Sequence, residues 1–190
     1  LRDHSDPRRE LAEGADLVCF SGDKVLGGPQ CGIILGRADL VQRLSKHPLA
    51  RALRVCKLTL AALDHTLLSY RAGRNADVPV WAMMHASIEG LRERAEKMAT
   101  SLADLDAEFS IEACKDPIGG GSHPGEVLEG VALAIRPHSR SASALCTRLR
   151  EGETPLVAVI AEEKVLFHLR TIAPNDDLKV AELLRSAMAA

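Results

Sequence analysis

The chain has 190 residues, 46% of them hydrophobic and 26% charged, and a formal net charge of −2; this composition excludes a disordered or fibrous protein. One Trp, one Tyr and three Phe, without an excess of basic residues, argue against autonomous nucleic-acid binding. No apolar run approaches the roughly 20 residues of a membrane span, and the five cysteines lack any CxxC spacing, which favours a reducing cytoplasm.

The first 75 residues predict two strands around a glycine-rich loop, followed by helices. Asp6 and Pro7 are typical of a helix N-terminus, because a capping carboxylate precedes proline at the first helical position. Two short apolar runs flank the loop and predict buried strands. The segment KLTLAALDHTLLSY has a wide apolar stripe, which predicts a long buried helix. The predicted elements are helix 8–13, strands 15–20 and 32–35, and helices 39–45 and 57–70.

The rest of the chain predicts a second, smaller domain. Residues 71–79 contain turn-forming Gly, Asn, Asp and Pro, so we expect the chain to divide into domains 1–75 and 76–190. The order of the later patterns predicts an antiparallel sheet covered by helices on one face, the α+β arrangement. Residues 161–164 have the length of a hairpin turn. The predicted elements are helix 87–102, strands 107–114 and 131–135, helix 141–150, strands 156–160 and 165–169, and helix 177–187.

Lys24 lies in the middle of a long glycine loop, SGDKVLGGPQCG, between the two strands of the first domain. A hairpin tip normally takes two to five residues, whereas this loop takes residues 21–31. Lysine forms Schiff bases with carbonyl compounds once its amine is desolvated or lies near another cation. The pattern therefore favours a nucleophilic lysine over a solvated turn residue. We expect four glycines to leave room for a ligand, namely Gly22, Gly27, Gly28 and Gly32.

Several segments resemble one family of enzymes. The serine, glycine and lysine followed by GGP are similar to the cofactor-lysine segment of fold-type I pyridoxal-phosphate enzymes. The stretch HPLARALRVCKLTLAALDHTLLSY, residues 47–70, closely resembles the bacterial L-seryl-tRNA(Sec) selenium transferases, the selenocysteine synthases. The resemblance covers nearly the whole chain and continues through GGGS at 119–122, PGE at 124–126 and LRT at 169–171.

This resemblance implies an α/β fold. The first part of the chain would be the C-terminal end of a fold-type I PLP-dependent transferase large domain, with the lysine loop and a long linking helix. The rest would be a small α+β C-terminal domain with an antiparallel sheet. Within the large domain Lys24 would hold pyridoxal 5'-phosphate, with Asp23 as an acid beside it. The remaining residues of the cofactor loop would be Ser21, Gly22, Gly27 and Gly28.

The resemblance also implies a site for the selenium donor. Arg51 and Arg54 match a pair of arginines that would receive the anionic donor, selenophosphate. Two guanidinium groups at i, i+3 can lie on one helical face and bind an oxyanion bidentately. Without the resemblance, a solvated helix face would be the better interpretation of these arginines.

Cys56 stands where the resemblance leads us to expect an aspartate. An aspartate would cap the helix over residues 57–70, so its loss should weaken the start of that helix unless Thr59 or another group substitutes. We interpret Cys56 as a tolerated substitution rather than a reactive thiol. We interpret His47 and His123 as structural, since neither has a second ligand at a recognisable spacing, and no metal site is predicted.

The implied reaction converts seryl-tRNA(Sec) to selenocysteinyl-tRNA(Sec) with selenophosphate. The whole protein would be a cytoplasmic homo-oligomer without a membrane segment. Fold-type I enzymes supply their phosphate cradle from sequence before the lysine, so we expect these 190 residues alone to be incomplete and inactive. Two alternatives remain open, a related pyridoxal-phosphate lyase acting on a small amino acid or sugar acid, and a non-catalytic assembly module.

Overall fold

A computed structural model describes residues 6–119 and 125–189. The chain divides into two compact units between Ala82 and Met83. This division falls later than the domain transition expected at 75/76, which stays a prediction. His123 and most of the GGGS motif lie outside the described residues.

The first unit contains a two-stranded sheet and a series of helices. Its elements are α1 (Pro7–Ala12), β1 (Leu17–Ser21), β2 (Gly32–Gly36), α2 (Ala38–Lys46), α3 (Pro48–Leu53), α4 (Lys57–Arg71) and the start of α5 (Pro79–His85). Strands β1 and β2 pair antiparallel, with Ser21 opposite Gly32 at the loop end. The prediction of buried strands is wrong, because neither strand contains a fully buried residue.

Helix α4 has nearly its predicted bounds but not its predicted burial. Ser69 is its one buried residue, and Leu58 is 82% exposed. Other large apolar side chains of this helix are exposed too, namely Leu60, Leu67 and Leu68. The helix thus carries the predicted apolar stripe, but in the described chain only Leu63 among its leucines is half-buried.

Two short helices, α3 and α5, were not predicted. Both begin at a proline, which is favoured at the first helical position because its missing N–H needs no partner there. The His47 side chain caps α3, with its Nδ1 accepting from the Leu49 N–H at 3.2 Å. This contact agrees with the structural interpretation of His47.

The second unit is a four-stranded antiparallel sheet with helices against one face, as predicted. Its elements are α6 (Ile88–Ser101), β3 (Ala107–Pro117), β4 (Val127–Pro137), α7 (Ala142–Glu151), β5 (Val159–Ala161), β6 (Lys164–His168) and α8 (Asp177–Ala189). The strand order is β3-β4-β6-β5. Alternate residues of the two central strands, such as Leu133 and Phe167, join α6, α7 and α8 in one core.

The edge hairpin differs in length from its prediction. The strand expected at 156–160 is reduced to Val159–Ala161, and Leu169 lies in a 3₁₀ turn after β6. The connection is a two-residue turn, because Ala161 pairs directly with Lys164. Glu162 and Glu163 have φ values of 49° and 61°, the left-handed pair that a type I′ hairpin requires.

Candidate functional site

Lys24 lies in the loop between β1 and β2, residues 22–31, which we call the Lys24 loop. Its amine pairs with Asp23 at 2.8 Å from Nζ to Oδ2, and its side chain is 48% exposed. The hydrogen bond from Lys24 lowers the pKa of the Asp23 carboxyl from its ordinary value. Ser21, the last residue of β1, is exposed as well. The structure thus presents a primary amine to solvent with an acid beside it.

The Lys24 loop is closed by its own backbone. The Gly22 N–H donates to the Cys31 carbonyl, and the Gly28 N–H donates to the Gly22 carbonyl, both at 2.8 Å. The Gly27 N–H donates to the Lys24 carbonyl at 2.8 Å. Gly27 has a φ of 72°, so the turn that starts at Lys24 ends in a left-handed glycine. These bonds fix the backbone from which the amine projects.

Three of the loop glycines are packed against protein rather than facing open space. A Cβ at Gly22 would lie 2.8 Å from a carbonyl oxygen of the same loop, and one at Gly28 would lie 3.1 Å from another. A Cβ at Gly27 would collide with Val78. The expectation of room for a ligand is therefore wrong at these three positions and holds only at Gly32, which has no such neighbour.

Arg51 and Arg54 do not share a helical face. Arg51 lies in α3, whereas Arg54 follows the helix end with extended backbone, at φ −62° and ψ 138°. Both arginines are exposed. Within the described residues, neither forms a hydrogen bond or ion pair with the Lys24 loop. The predicted i, i+3 helical geometry is wrong because α3 ends at Leu53, while the anion-binding role of the two residues stays a prediction.

Cys56 occupies the N-cap position of α4, as predicted, but its side chain does not cap the backbone. Its Sγ lies 3.4 Å from the Thr59 hydroxyl, and this contact lowers the pKa of the thiol. The contact with Thr59 therefore does not supply the backbone cap that an aspartate would give α4.

A buried polar cluster in the second unit was not foreseen from the sequence. The side chains of Arg170 and Asp116 are only 6% and 7% exposed, and Nε of Arg170 donates to Oδ2 of Asp116 at 2.9 Å. His168 Nδ1 lies 2.6 Å from the other carboxylate oxygen. Gly130 makes the cluster possible, because a Cβ there would collide with the Asp116 carboxylate.

Cys114 also contacts this cluster, which brings three metal-ligating side chains within 4.8 Å. The 2.6 Å between His168 and Asp116 is shorter than the roughly 3.3 Å that separates two ligands on tetrahedral zinc. Burial, with the nearby Asp116 charge, raises the pKa of the Cys114 thiol to about 12. Arg170 already balances the Asp116 charge, so we interpret the group as a hydrogen-bonded network.

The sequence matches the family model described as L-seryl-tRNA selenium transferase over residues 1–173. The chain belongs to this family. Three selenium transferases named L-seryl-tRNA(Sec) selenium transferase illustrate the similarity. They come from Carboxydothermus hydrogenoformans (43% identity over 87% of this chain), Aquifex aeolicus (42% over 89%) and Moorella thermoacetica (41% over 94%).

The match to the selenium transferases confirms the resemblance found in the sequence. The chain spans only 36–39% of the length of these three relatives. Across residues 6–119 and 125–189, no helix has both the length and the apolar character needed to cross a membrane.

Sequence reasoning located the Lys24 loop but not the side chains that contact it. The Tyr70 hydroxyl donates to the Leu26 carbonyl of the loop, and the Trp81 indole N–H donates to that hydroxyl. Tyr70 and Trp81 are the only tyrosine and tryptophan in the chain. That rarity is a usable signal, because a partly buried Tyr or Trp normally places its polar atom against a partner. Arg170 lay in the LRT motif, but its burial depends on long-range contacts that no local pattern shows.

Proposed function

We propose that a full-length selenium transferase containing this chain converts seryl-tRNA(Sec) to selenocysteinyl-tRNA(Sec). Selenophosphate would be the selenium donor, and Lys24 would hold pyridoxal 5'-phosphate. The observation that carries the proposal is the family match over residues 1–173, which includes the accessible Lys24 amine. The first unit would then be the end of a fold-type I large domain, and the second unit its small C-terminal domain.

The residues of the Lys24 loop fit a carbonyl cofactor. A primary amine is the group that bonds covalently to an aldehyde, and Lys24 presents one from a turn whose backbone is fixed. Pyridoxal phosphate, when bound, would serve as an electron sink for negative charge at the α-carbon of the substrate. The loop glycines keep the turn compact rather than forming the cofactor cradle, so the phosphate would be held by other residues.

Lys24 would have two roles in the reaction. Its Nζ would hold the cofactor and, once displaced by the substrate amine, would take the proton from the α-carbon of the seryl group. Asp23, whose carboxylate lies 2.8 Å from this amine, would stabilise the ammonium that the proton transfer forms. The pair thus combines a base with a carboxylate partner on adjacent residues.

Arg51 and Arg54 would bind the donor anion. Both are exposed and carry permanent positive charge, so they can attract selenophosphate and hydrogen-bond to its oxygens. Because α3 ends between them, they would approach the anion from a helix and from the extended segment after it.

Replacing Arg51 or Arg54 by alanine in the full-length enzyme is expected to weaken selenophosphate binding roughly ten- to a hundredfold, since each loses a charged hydrogen bond. The KM for selenophosphate measures the effect, and the visible absorbance of the bound cofactor should not change. Arg43→Ala, an exposed arginine of α2, is the matched control. Equal KM values for Arg51→Ala, Arg54→Ala and the control would remove both arginines from the site.

We also propose that the full-length protein is cytoplasmic and forms a homo-oligomer. All five cysteines are unpaired, which suits a reducing cytoplasm. The exposed leucines of α4 give the full-length protein an apolar surface for forming a homo-oligomer.

Trapping the cofactor tests the proposed function directly. The full-length protein loaded with pyridoxal phosphate is reduced with borohydride, digested and analysed by mass spectrometry. We expect the cofactor to be attached to the peptide that contains Lys24. Attachment to another lysine, or to none, would contradict the assignment.

A further inference from the structure

Tyr70 contacts the turn that begins at Lys24. Its hydroxyl donates to the Leu26 carbonyl at 2.8 Å, and Leu26 lies between Lys24 and Gly27, the two ends of the turn. Tyr70 comes from the last turn of α4, so this bond joins residues far apart in sequence. It anchors the inner part of this turn to a helix.

Trp81 in turn fixes the Tyr70 hydroxyl. Its Nε1–H donates to that oxygen, and the two rings pack edge to face with centroids 6.5 Å apart. The Tyr70 hydroxyl therefore donates once and accepts once, which sets its direction. Trp81 lies in α5, so two helices of the first unit act on the same carbonyl.

Gly27, the last residue of the turn, is confined by packing. It packs so closely against Val78 and Val80 that a Cβ would collide with Val78 and lie 2.9 Å from Val80 Cγ1. Val78 is buried. The turn is thus confined at Leu26 by a hydrogen bond and at Gly27 by packing.

We propose that Tyr70 is a positioning residue for Lys24, acting through the Leu26 carbonyl, and that Trp81 acts through Tyr70. The chemical role of the amine rests on the proposed function, whereas the restraint on the turn does not. Small displacements of a reacting group slow a reaction strongly, so a restraint two residues from the amine has a direct effect on catalysis.

The restraint is tested first in the 190-residue chain by amide hydrogen exchange. Tyr70→Phe keeps the ring and removes the hydroxyl, and it should speed exchange at Gly27 and Gly28 about five- to tenfold, while the amides of the β1–β2 ladder in the same unit are unchanged. Ser45→Ala is the matched control, because it removes an exposed α2 hydroxyl of the same unit that donates to the Gln42 carbonyl of its own helix. Exchange at the two glycines that is equal in wild type and Tyr70→Phe would overturn the proposal.

The order of action is tested by a double-mutant cycle. Trp81→Phe alone should give a smaller increase in exchange at the same glycines, and it should add nothing in the Tyr70→Phe background. Additive effects of the two changes would show that Trp81 does not act through Tyr70.

The catalytic consequence is measured in the full-length enzyme. Tyr70→Phe should lower kcat about tenfold and leave the KM for seryl-tRNA unchanged, whereas a loss of stability of the first unit would also speed exchange of the β1–β2 ladder amides. If wild type traps no cofactor at Lys24 but the exchange results hold, the restraint stands and the proposed function fails. If the cofactor is trapped and kcat is unchanged by Tyr70→Phe, the positioning role fails and the proposed function stands.

Discussion

Replacing Arg170 by methionine is expected to destabilise the second unit by about 3–5 kcal/mol, because the change leaves the Asp116 carboxylate buried without its cation. Methionine keeps much of the side-chain volume, so the lost stability comes from the unpaired charge rather than from a cavity. Arg170 also donates to backbone carbonyls of Met83, Ala86 and Glu129 at 2.7, 3.1 and 2.5 Å. Each of these loses a partner in the variant, which adds to the cost.

Hydrogen exchange of β4 amides measures this loss, since the strand is paired on both sides and exchanges only when the unit opens. The predicted cost corresponds to exchange more than a hundredfold faster. Arg185→Met is the matched control, because Arg185 pairs with Asp104 on the surface and is 43% exposed. If both variants exchange alike, the buried pair contributes no more than a surface pair.

A second change separates charge from packing in this cluster. Adding Asp116→Asn to Arg170→Met removes the stranded carboxylate, so the double variant should recover part of the lost stability. A double variant that is less stable than Arg170→Met would mean that the contacts of Asp116 with His168 and Cys114 outweigh the cost of its unpaired charge.

The second unit was largely predictable because its signals are local. In β4 large apolar residues alternate with alanines, and in α6 and α7 apolar residues recur at helical spacing. These patterns indicate which face meets the core, since Val131, Leu133 and Ile135 join it. The edge hairpin was less predictable, since its length depends on two glutamates in left-handed conformations. Nothing in those side chains marks the type I′ turn as glycine or asparagine would.

Burial in the first unit was not predictable in the same way. The pattern of α4 shows which side chains are apolar, but it does not show what covers them, and Leu58 is exposed in this chain. The placement of Arg54 failed for a related reason. Helical spacing was assumed across a helix that stops at Leu53, and the stop carries no glycine or proline signal.

The candidate site was found mostly through resemblance. A lysine in a glycine loop suggested a nucleophile, but only the neighbouring segments connected it with the selenium transferases. The roles of the glycines could not be read from the sequence. A Cβ at Gly22 or Gly28 would crowd a carbonyl oxygen of the loop, at 2.8 and 3.1 Å, whereas Gly27 is required by its positive φ and by Val78.

Lys24→Arg is expected to stop selenium transfer in the full-length enzyme as completely as Lys24→Ala, by roughly 10³-fold or more. Arginine keeps a positive charge beside Asp23 and can form the same ion pair, so it preserves the electrostatics of the site. It cannot lose its proton at working pH, and therefore it can neither bond to the cofactor carbonyl nor take the α-proton. The Lys24→Arg enzyme would therefore keep the positive charge beside Asp23 but lose both reactions of the lysine amine.

The two variants are expected to differ when a small amine is added. Lys24→Ala leaves space beside Asp23 that methylamine can enter, so part of the transfer rate should return as methylamine concentration rises, more strongly at higher pH where more of it is neutral. Lys24→Arg fills that space and should not respond. Transfer of selenium to seryl-tRNA is followed with radioactive selenophosphate, and Lys46→Ala, an exposed lysine of α2, is the control for a general effect of losing a lysine. A Lys24→Arg enzyme with near wild-type transfer would show that Lys24 serves only as a cation, and the base and cofactor-holding roles would then belong to another residue.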